Sequence, residues 1–179
     1  VLLDNTMAYP FLGAKDELVN RENVLNAFYQ LGETHENSSV PIFTYAHISC
    51  PHAPFVFDEN GDMNDYSSLN DWQDRTIYLN QYKYVTYLTN ETIKKIINTD
   101  PNCIIILQSD HSARWTQDEN GNKIVDNIDA RSILNAVYYK GEKIDDIKDQ
   151  SAVNTLRLVI GRLIDLHLPI VEVPNDEKK

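Results

Sequence analysis

Apolar residues recur along the chain with two periods, one typical of helices and one typical of strands. Apolar positions spaced by three or four residues predict amphipathic helices over 16–34, 75–98 and 152–166. Short, nearly continuous apolar runs rich in β-branched and aromatic residues predict strands over 40–48, 103–107 and 133–139. Because helices alternate with strands, we expect an α/β fold with a mostly parallel sheet flanked by helices.

Two of the predicted strands are expected inside the sheet. The run CIIIL at 103–107 has no polar side chain to place against solvent, so it is predicted at the centre of the sheet. The run VPIFTYAHI at 40–48 is predicted to be a strand that is buried on both faces. The segments DENGD at 58–62 and DENGN at 118–122 predict a turn and a loop or hairpin tip.

Two of the helix predictions include an inward stripe of side chains. For 75–98 the stripe is Tyr78, Tyr82, Val85, Leu88, Ile93, Ile96 and Ile97. For 152–166 it is Val153, Leu156, Val159, Ile160 and Leu163. No linker divides the chain, so 1–179 is predicted to be a single domain with a frayed tail over 174–179.

The charge of the chain narrows the classes of partner. A net charge of −11 argues against a nucleic-acid binder, because phosphates would be repelled. No run approaches the roughly 18 apolar residues that a membrane span needs, so no membrane contact is expected from this segment. Cys50 and Cys103 lack the spacing of a metal site or a disulfide framework, and both are predicted to be buried thiols.

The candidate catalytic and metal-binding residues lie where two predicted strands end. His47 and His52 lie at and just after the end of 40–48, and Asp110 and His111 follow 103–107. Ligand sites in open parallel sheets lie at the carboxyl ends of strands, and Asp and His both bind zinc and manganese-type ions. His35 and His167 stand in polar or peripheral positions and are assigned no role.

Each candidate also has a structural interpretation that the residues alone leave open. Asp110 can cap the segment that follows it, with His111 a surface histidine. His52 can be incidental to a rigid loop, since prolines flank it at positions 51 and 54. His47 can be a hydrogen-bonded histidine of the core.

Longer stretches of the sequence resemble a known family. The stretches are PIFTYAHISCPHAPFVFDENG, YLNQYKYVTYLTNETIKKII, CIIILQSDHSAR, RSILNAVYY and SAVNTLRLVIGRLI. They resemble the C-terminal half of sulfatase-family proteins, and within that family its bacterial membrane-anchored branch. That branch includes lipoteichoic-acid synthases and related phosphoglycerol or phosphoethanolamine transferases.

The resemblance implies an alkaline-phosphatase-like fold, here as a partial fold, around a divalent metal ion: Mn, Zn, Mg or Ca. Asp110 and His111 match the family's C-terminal pair of metal ligands. His52 matches the histidine that contacts the transferred group or protonates the leaving group, and His47 matches a histidine found near the substrate in several relatives. The implied partner is a sulfate- or phosphate-ester substrate. The implied location is the extracytoplasmic face of the bacterial cell membrane, through a membrane-anchored parent protein.

Two departures from the family pattern set the functional hypotheses. Ser112 follows the Asp-His pair where the family has Gly, and the family's N-terminal half, with the nucleophile and remaining ligands, has no counterpart here. Cys50 directly precedes Pro51, so it does not fit the Cys-x-Pro-x-Arg signature of sulfatases. We therefore expect part of a metal-dependent sulfatase-like hydrolase or transferase that is inactive alone. The alternative is a non-catalytic binding or assembly module that keeps the scaffold without the chemistry.

Overall fold

A computed structural model describes residues 17–33, 40–64, 73–118, 120–124, 132–142, 144, 147 and 150–172. The chain divides into two compact units, Val1–Asp100 and Pro101–Lys179. The predicted tail at 174–179 lies outside the described residues, and the single domain stays a prediction.

Two helices, both predicted, are described in the first unit, and the buried segment 55–57 lies between them in the sequence. Helix α1 spans Glu17–Glu33 and helix α2 spans Arg75–Thr99. Asp74 caps α2, since its carboxylate accepts hydrogen bonds from the first-turn N–H groups of Thr76 and Ile77 at 2.8 and 3.2 Å. The two helices pack against each other.

The second unit contains a hairpin-like sheet and a helix. Strand β1 spans Ile104–Gln108, strand β2 spans Asn135–Tyr139, and helix α3 spans Ala152–Leu163. The strands pair antiparallel, with Ile104 opposite Tyr139 and Gln108 opposite Asn135. A small core joins the three elements, and it consists of Tyr139, Ile147 and Val159 with the partly buried Ile104, Ile106, Val137, Ile144 and Leu158.

The mixture of helices and strands agrees with the prediction, but the sheet differs from it. In the described residues the sheet has two strands and is antiparallel, so neither strand is central and the side chains of 104–107 are half-buried. Parallel neighbours need a crossover, usually a helix, and the described part of the connection from β1 to β2 contains none. An alkaline-phosphatase-like architecture is therefore not shown by this part of the chain.

The strand predicted over 40–48 is wrong for this structure. The segment belongs to no helix or strand and its residues 40–47 are exposed, with Val40, Phe43 and Tyr45 at 66%, 87% and 79% exposure. Across the part of the chain that the structure describes, no backbone hydrogen bond involves residues 41–47. A β-strand needs a neighbouring strand to hydrogen-bond with. Without one, residues 41–47 are an exposed apolar segment despite their high β-propensity.

The predicted inward stripes are only partly correct. On α2 the buried residues are Gln81, Val85 and Ile96, and Tyr82 is exposed. On α3 the buried residues are Asn154, Thr155, Val159 and Gly161. Among the described helices, none combines the length and apolar character that crossing a bilayer would require.

Candidate functional site

The end of β1 is fixed where the candidate metal ligands begin. Ser109 donates its backbone N–H to the carbonyl of Leu134 at 3.0 Å, and its hydroxyl accepts the N–H of Leu134 at 2.8 Å. Gln108 donates its side-chain amide to Asn135 at 2.9 Å. These bonds hold the last residues of β1 against the chain entering β2. Asp110 therefore leaves the sheet from a fixed point, as the strand-end prediction required.

Asp110 and His111 place two possible metal-ligand atoms near each other. The carboxylate Oδ1 of Asp110 accepts the backbone N–H of His111 at 2.9 Å, and Oδ2 lies 3.7 Å from Nε2 of His111. Nδ1 of His111 is 2.7 Å from the carbonyl oxygen of Ser112, which places the ring proton on Nδ1. Nε2 is thus the ring nitrogen nearer the carboxylate: it carries the lone pair in the neutral ring, and in the imidazolium it pairs with Asp110.

This geometry fits a divalent cation as a partial site. Oδ2 of Asp110 and Nε2 of His111 are atom types that bind zinc or manganese, and at 3.7 Å apart they are close enough that both would contact one bound cation. The carbonyl of Ser112 supplies the outer hydrogen bond that ligating histidines use. Among the described residues no cluster of three or more His, Cys, Asp or Glu side chains occurs, so this pair offers two donors.

His52 lies in a loop bounded by two prolines in the first unit. Its Nδ1 is 2.7 Å from the carbonyl oxygen of Ala53, the same arrangement as in His111, so its lone pair also resides on Nε2. The ring is exposed, and the peptide bonds before Pro51 and Pro54 are cis. A histidine held in one tautomer with an accessible ring suits acid–base chemistry or contact with an anionic group.

His47 is exposed within the uncovered segment 40–48, so the alternative of a core histidine is wrong. His47 and His52 belong to the first unit, whereas Asp110 and His111 belong to the second. The structure brings Asp110 and His111 together, and the convergence of His52 with them stays a prediction.

Sequence reasoning missed one polar residue beside the His52 loop. Gln81 is fully buried on α2, and its amide contacts backbone groups at Pro51, His52, Pro54 and Phe57. The signal for it was available. Gln81 stands four positions before Val85 on the inward side of the helix, and a polar residue there must find hydrogen-bond partners.

Cys50, which precedes this loop, is predicted to be an unreactive thiol. Burial raises its pKa from the ordinary 9.0 to about 12, because the thiolate would be desolvated. At pH 8 we expect iodoacetamide to modify Cys50 about a thousandfold more slowly in the folded chain than in urea, since the thiolate fraction falls by that factor. Mass spectrometry of the labelled peptide measures both rates, and equal rates would contradict the burial.

The same shift predicts the direction of a pH effect on stability. The unfolded thiol ionises from about pH 9 while the folded one keeps its proton, so the free energy of unfolding should fall as pH rises from 9 towards 12. Urea unfolding of Cys50→Ala supplies the control, since this variant should lose that part of the alkaline decline.

Comparisons with protein-family models, with curated proteins and with solved structures find no match for this chain. The resemblance to sulfatase-family proteins therefore stays an expectation that rests on the sequence motifs quoted above.

Proposed function

We propose that the chain is part of a metal-dependent sulfatase-like enzyme that hydrolyses or transfers a sulfate or phosphate ester. The observation that carries this proposal is the Asp110–His111 pair, with Oδ2 and Nε2 facing each other 3.7 Å apart at the end of β1. The carbonyl of Ser112 at Nδ1 is the kind of outer hydrogen bond that metal-ligating histidines make, and the Asp110 carboxylate places a second possible ligand atom near Nε2.

The residues divide the chemistry between them. Asp110 and His111 hold the cation, which when bound would neutralise charge that develops on the ester. His52, once protonated at Nε2, donates that proton to the leaving-group oxygen or hydrogen-bonds the transferred group. His47 contributes a further contact to the substrate. By resemblance, the parent protein is anchored to a bacterial membrane and acts at its extracytoplasmic face.

The proposed activity requires more than the described residues provide. Two donors leave most of a cation's coordination shell to water, so binding by this chain alone should be weak. The exposed ribbon at 40–48 supports the same conclusion, because such a segment is typical of a strand whose neighbours are elsewhere. We expect no turnover of an aryl sulfate or a phosphodiester by this chain, with or without manganese.

The metal site is tested by titrating Mn²⁺ into ¹⁵N-labelled chain and following paramagnetic broadening of amide signals. We expect broadening centred on residues 110–112 at millimolar Mn²⁺, because only two donors bind, and its loss in Asp110→Ala and in His111→Ala. The matched control is the double variant Asp165→Asn/His167→Ala, which removes another exposed Asp and His from the same unit. Broadening that survives Asp110→Ala, or that vanishes in the control, would place metal binding elsewhere.

The catalytic proposal is tested separately from metal binding. Joined to a half that carries the nucleophile and the remaining ligands, the chain should bind Mn²⁺ more tightly and turn over an ester, and Asp110→Ala should abolish both. Tight binding without turnover would favour the non-catalytic module.

A further inference from the structure

The side-chain amide of Gln81 lies at the centre of a cluster of hydrogen bonds in the first unit. Its side chain is 0% exposed, and its Oε1 accepts the backbone N–H of Phe57 at 3.1 Å. Its Nε2 lies 3.2 Å from the carbonyl oxygens of both Pro51 and His52, and 3.5 Å from that of Pro54. An N–H donor on one side and carbonyl acceptors on the other fix which end of the amide is oxygen and which is nitrogen.

This cluster of hydrogen bonds connects the His52 loop to a long helix. Gln81 lies in the first two turns of the 25-residue helix α2, whose N-terminus is capped by Asp74. The carbonyl of His52 itself and that of its neighbour Pro51 both face the Gln81 amide. The backbone on the N-terminal side of the His52 ring is thus held by the helix, and on the C-terminal side the ring bonds the carbonyl of Ala53 at 2.7 Å.

We propose that Gln81 is a positioning residue for His52: it fixes the loop backbone so that the Nδ1–H of the ring meets Ala53 and Nε2 keeps its lone pair. The proposal rests on the role given to His52 in the proposed function, and it names the residue through which α2 sets the orientation of that imidazole. Precise placement of a proton-transferring group by hydrogen bonds around it is a general requirement of such sites.

A neighbouring amide separates positioning from simple support of the fold. Asn64 donates to the carbonyl oxygens of Phe55 and Phe57 at 2.9 and 2.7 Å, so it holds the adjoining segment. Neither of these side-chain hydrogen bonds of Asn64 reaches residues 51–54. Loss of Asn64 should therefore destabilise the unit without changing His52, whereas loss of Gln81 should change both.

The test reads the tautomer of His52 directly. Long-range ¹H–¹⁵N spectra of ¹⁵N-histidine-labelled chain at pH 8 distinguish the Nδ1–H from the Nε2–H form for each ring. We expect His52 to be in the Nδ1–H form in the wild type. In Gln81→Met the ratio of Nδ1–H to Nε2–H should fall by about fivefold or more, the equivalent of one lost hydrogen bond. His111, bonded to Ser112 in the other unit, is the internal control and should not change.

Two further variants make the result decisive. Gln81→Asn keeps a neutral buried amide but withdraws it from the loop by one methylene, so it should shift the His52 tautomer even if Gln81→Met fails to fold. Asn64→Ala should lower the urea midpoint and leave the tautomer as in the wild type. An unchanged His52 tautomer in a folded Gln81 variant, or an equal shift in Asn64→Ala, would overturn the positioning role. Failure of the proposed function would instead show in the Mn²⁺ titration, which monitors Asp110 and His111 and does not depend on this readout.

Discussion

Replacing Gly61 by alanine is expected to lower the free energy of unfolding by about 3–5 kcal/mol, the largest single-methyl effect we predict. Gly61 is buried with φ of +89°, a backbone region that L side chains rarely adopt. A Cβ there would overlap the ring of Tyr84 and come 2.6 Å from its hydroxyl oxygen. The carbonyl of Gly61 also accepts a 2.8 Å hydrogen bond from Arg21, so the turn cannot move away freely.

Gly121 provides a matched control within the same chain. The segments 58–61 and 118–121 share the sequence DENG, and in both the first Asp accepts two backbone N–H groups at 2.8 Å. Gly121 also has a positive φ, of +81°, but nothing lies within 4 Å of a Cβ built on it. Gly121→Ala should therefore cost only the backbone strain, about 1–2 kcal/mol. Urea unfolding followed by circular dichroism measures both, and equal costs would contradict the docking of the first turn on Tyr84 and Arg21.

These twin turns show how far local sequence predicts the fold. Their Asn-Gly and Asp residues were sufficient to predict two turns, because the required conformations and hydrogen bonds are local. The shared sequence DENG does not indicate that Gly61 is buried whereas Gly121 is exposed. That difference comes from Tyr84 and Arg21, which are distant in sequence.

The three helices and two of the three predicted strands were predictable for the same reason. The direction of the strands in the sheet was not. The apolar period of 75–98 and the cap at Asp74 are local features that define α2. The direction of β2 relative to β1 depends on the path of the intervening chain, and periodicity does not encode that path. The run 40–48 has strand propensity, yet its conformation depends on a neighbour that is absent from the described residues.

The candidate site divides along the same line. Asp110 and His111 were predictable because polar residues that end an apolar strand are visible in the sequence. The contact of His111 Nδ1 with the carbonyl of Ser112, and the distance from Nε2 to Asp110, depend on the backbone conformation after the strand and could not be predicted from the sequence. The burial of Gln81 could be inferred from its place on the inward side of α2, but its partners could not, because they are backbone groups 24 to 30 residues away and backbone carries no sequence signal.

The uncovered apolar segment at 40–48 gives the second large effect. Phe43 and Tyr45 are 87% and 79% exposed, and Val40 beside them is 66% exposed. A contiguous apolar surface of this kind binds hydrophobic dyes and neighbouring chains, whereas single exposed apolar residues are ordinary. We expect the double variant Phe43→Ser/Tyr45→Ser to lower the fluorescence of bound anilinonaphthalene sulfonate by at least about threefold, while its free energy of unfolding in urea stays within about 0.5 kcal/mol of that of the wild type.

Tyr29→Ser is the matched control, because Tyr29 is 67% exposed but lies on α1, outside the segment. It should leave most of the dye signal in place. Stability distinguishes the two explanations of a dye loss in the double variant. If Phe43 and Tyr45 packed against the rest of the chain in solution, their removal would cost several kcal/mol, as buried aromatic truncations do. A loss of dye binding with unchanged stability means instead that Phe43 and Tyr45 do not pack against the part of the chain that the structure describes. The segment would then behave as we propose, as a strand whose neighbours come from outside the described residues.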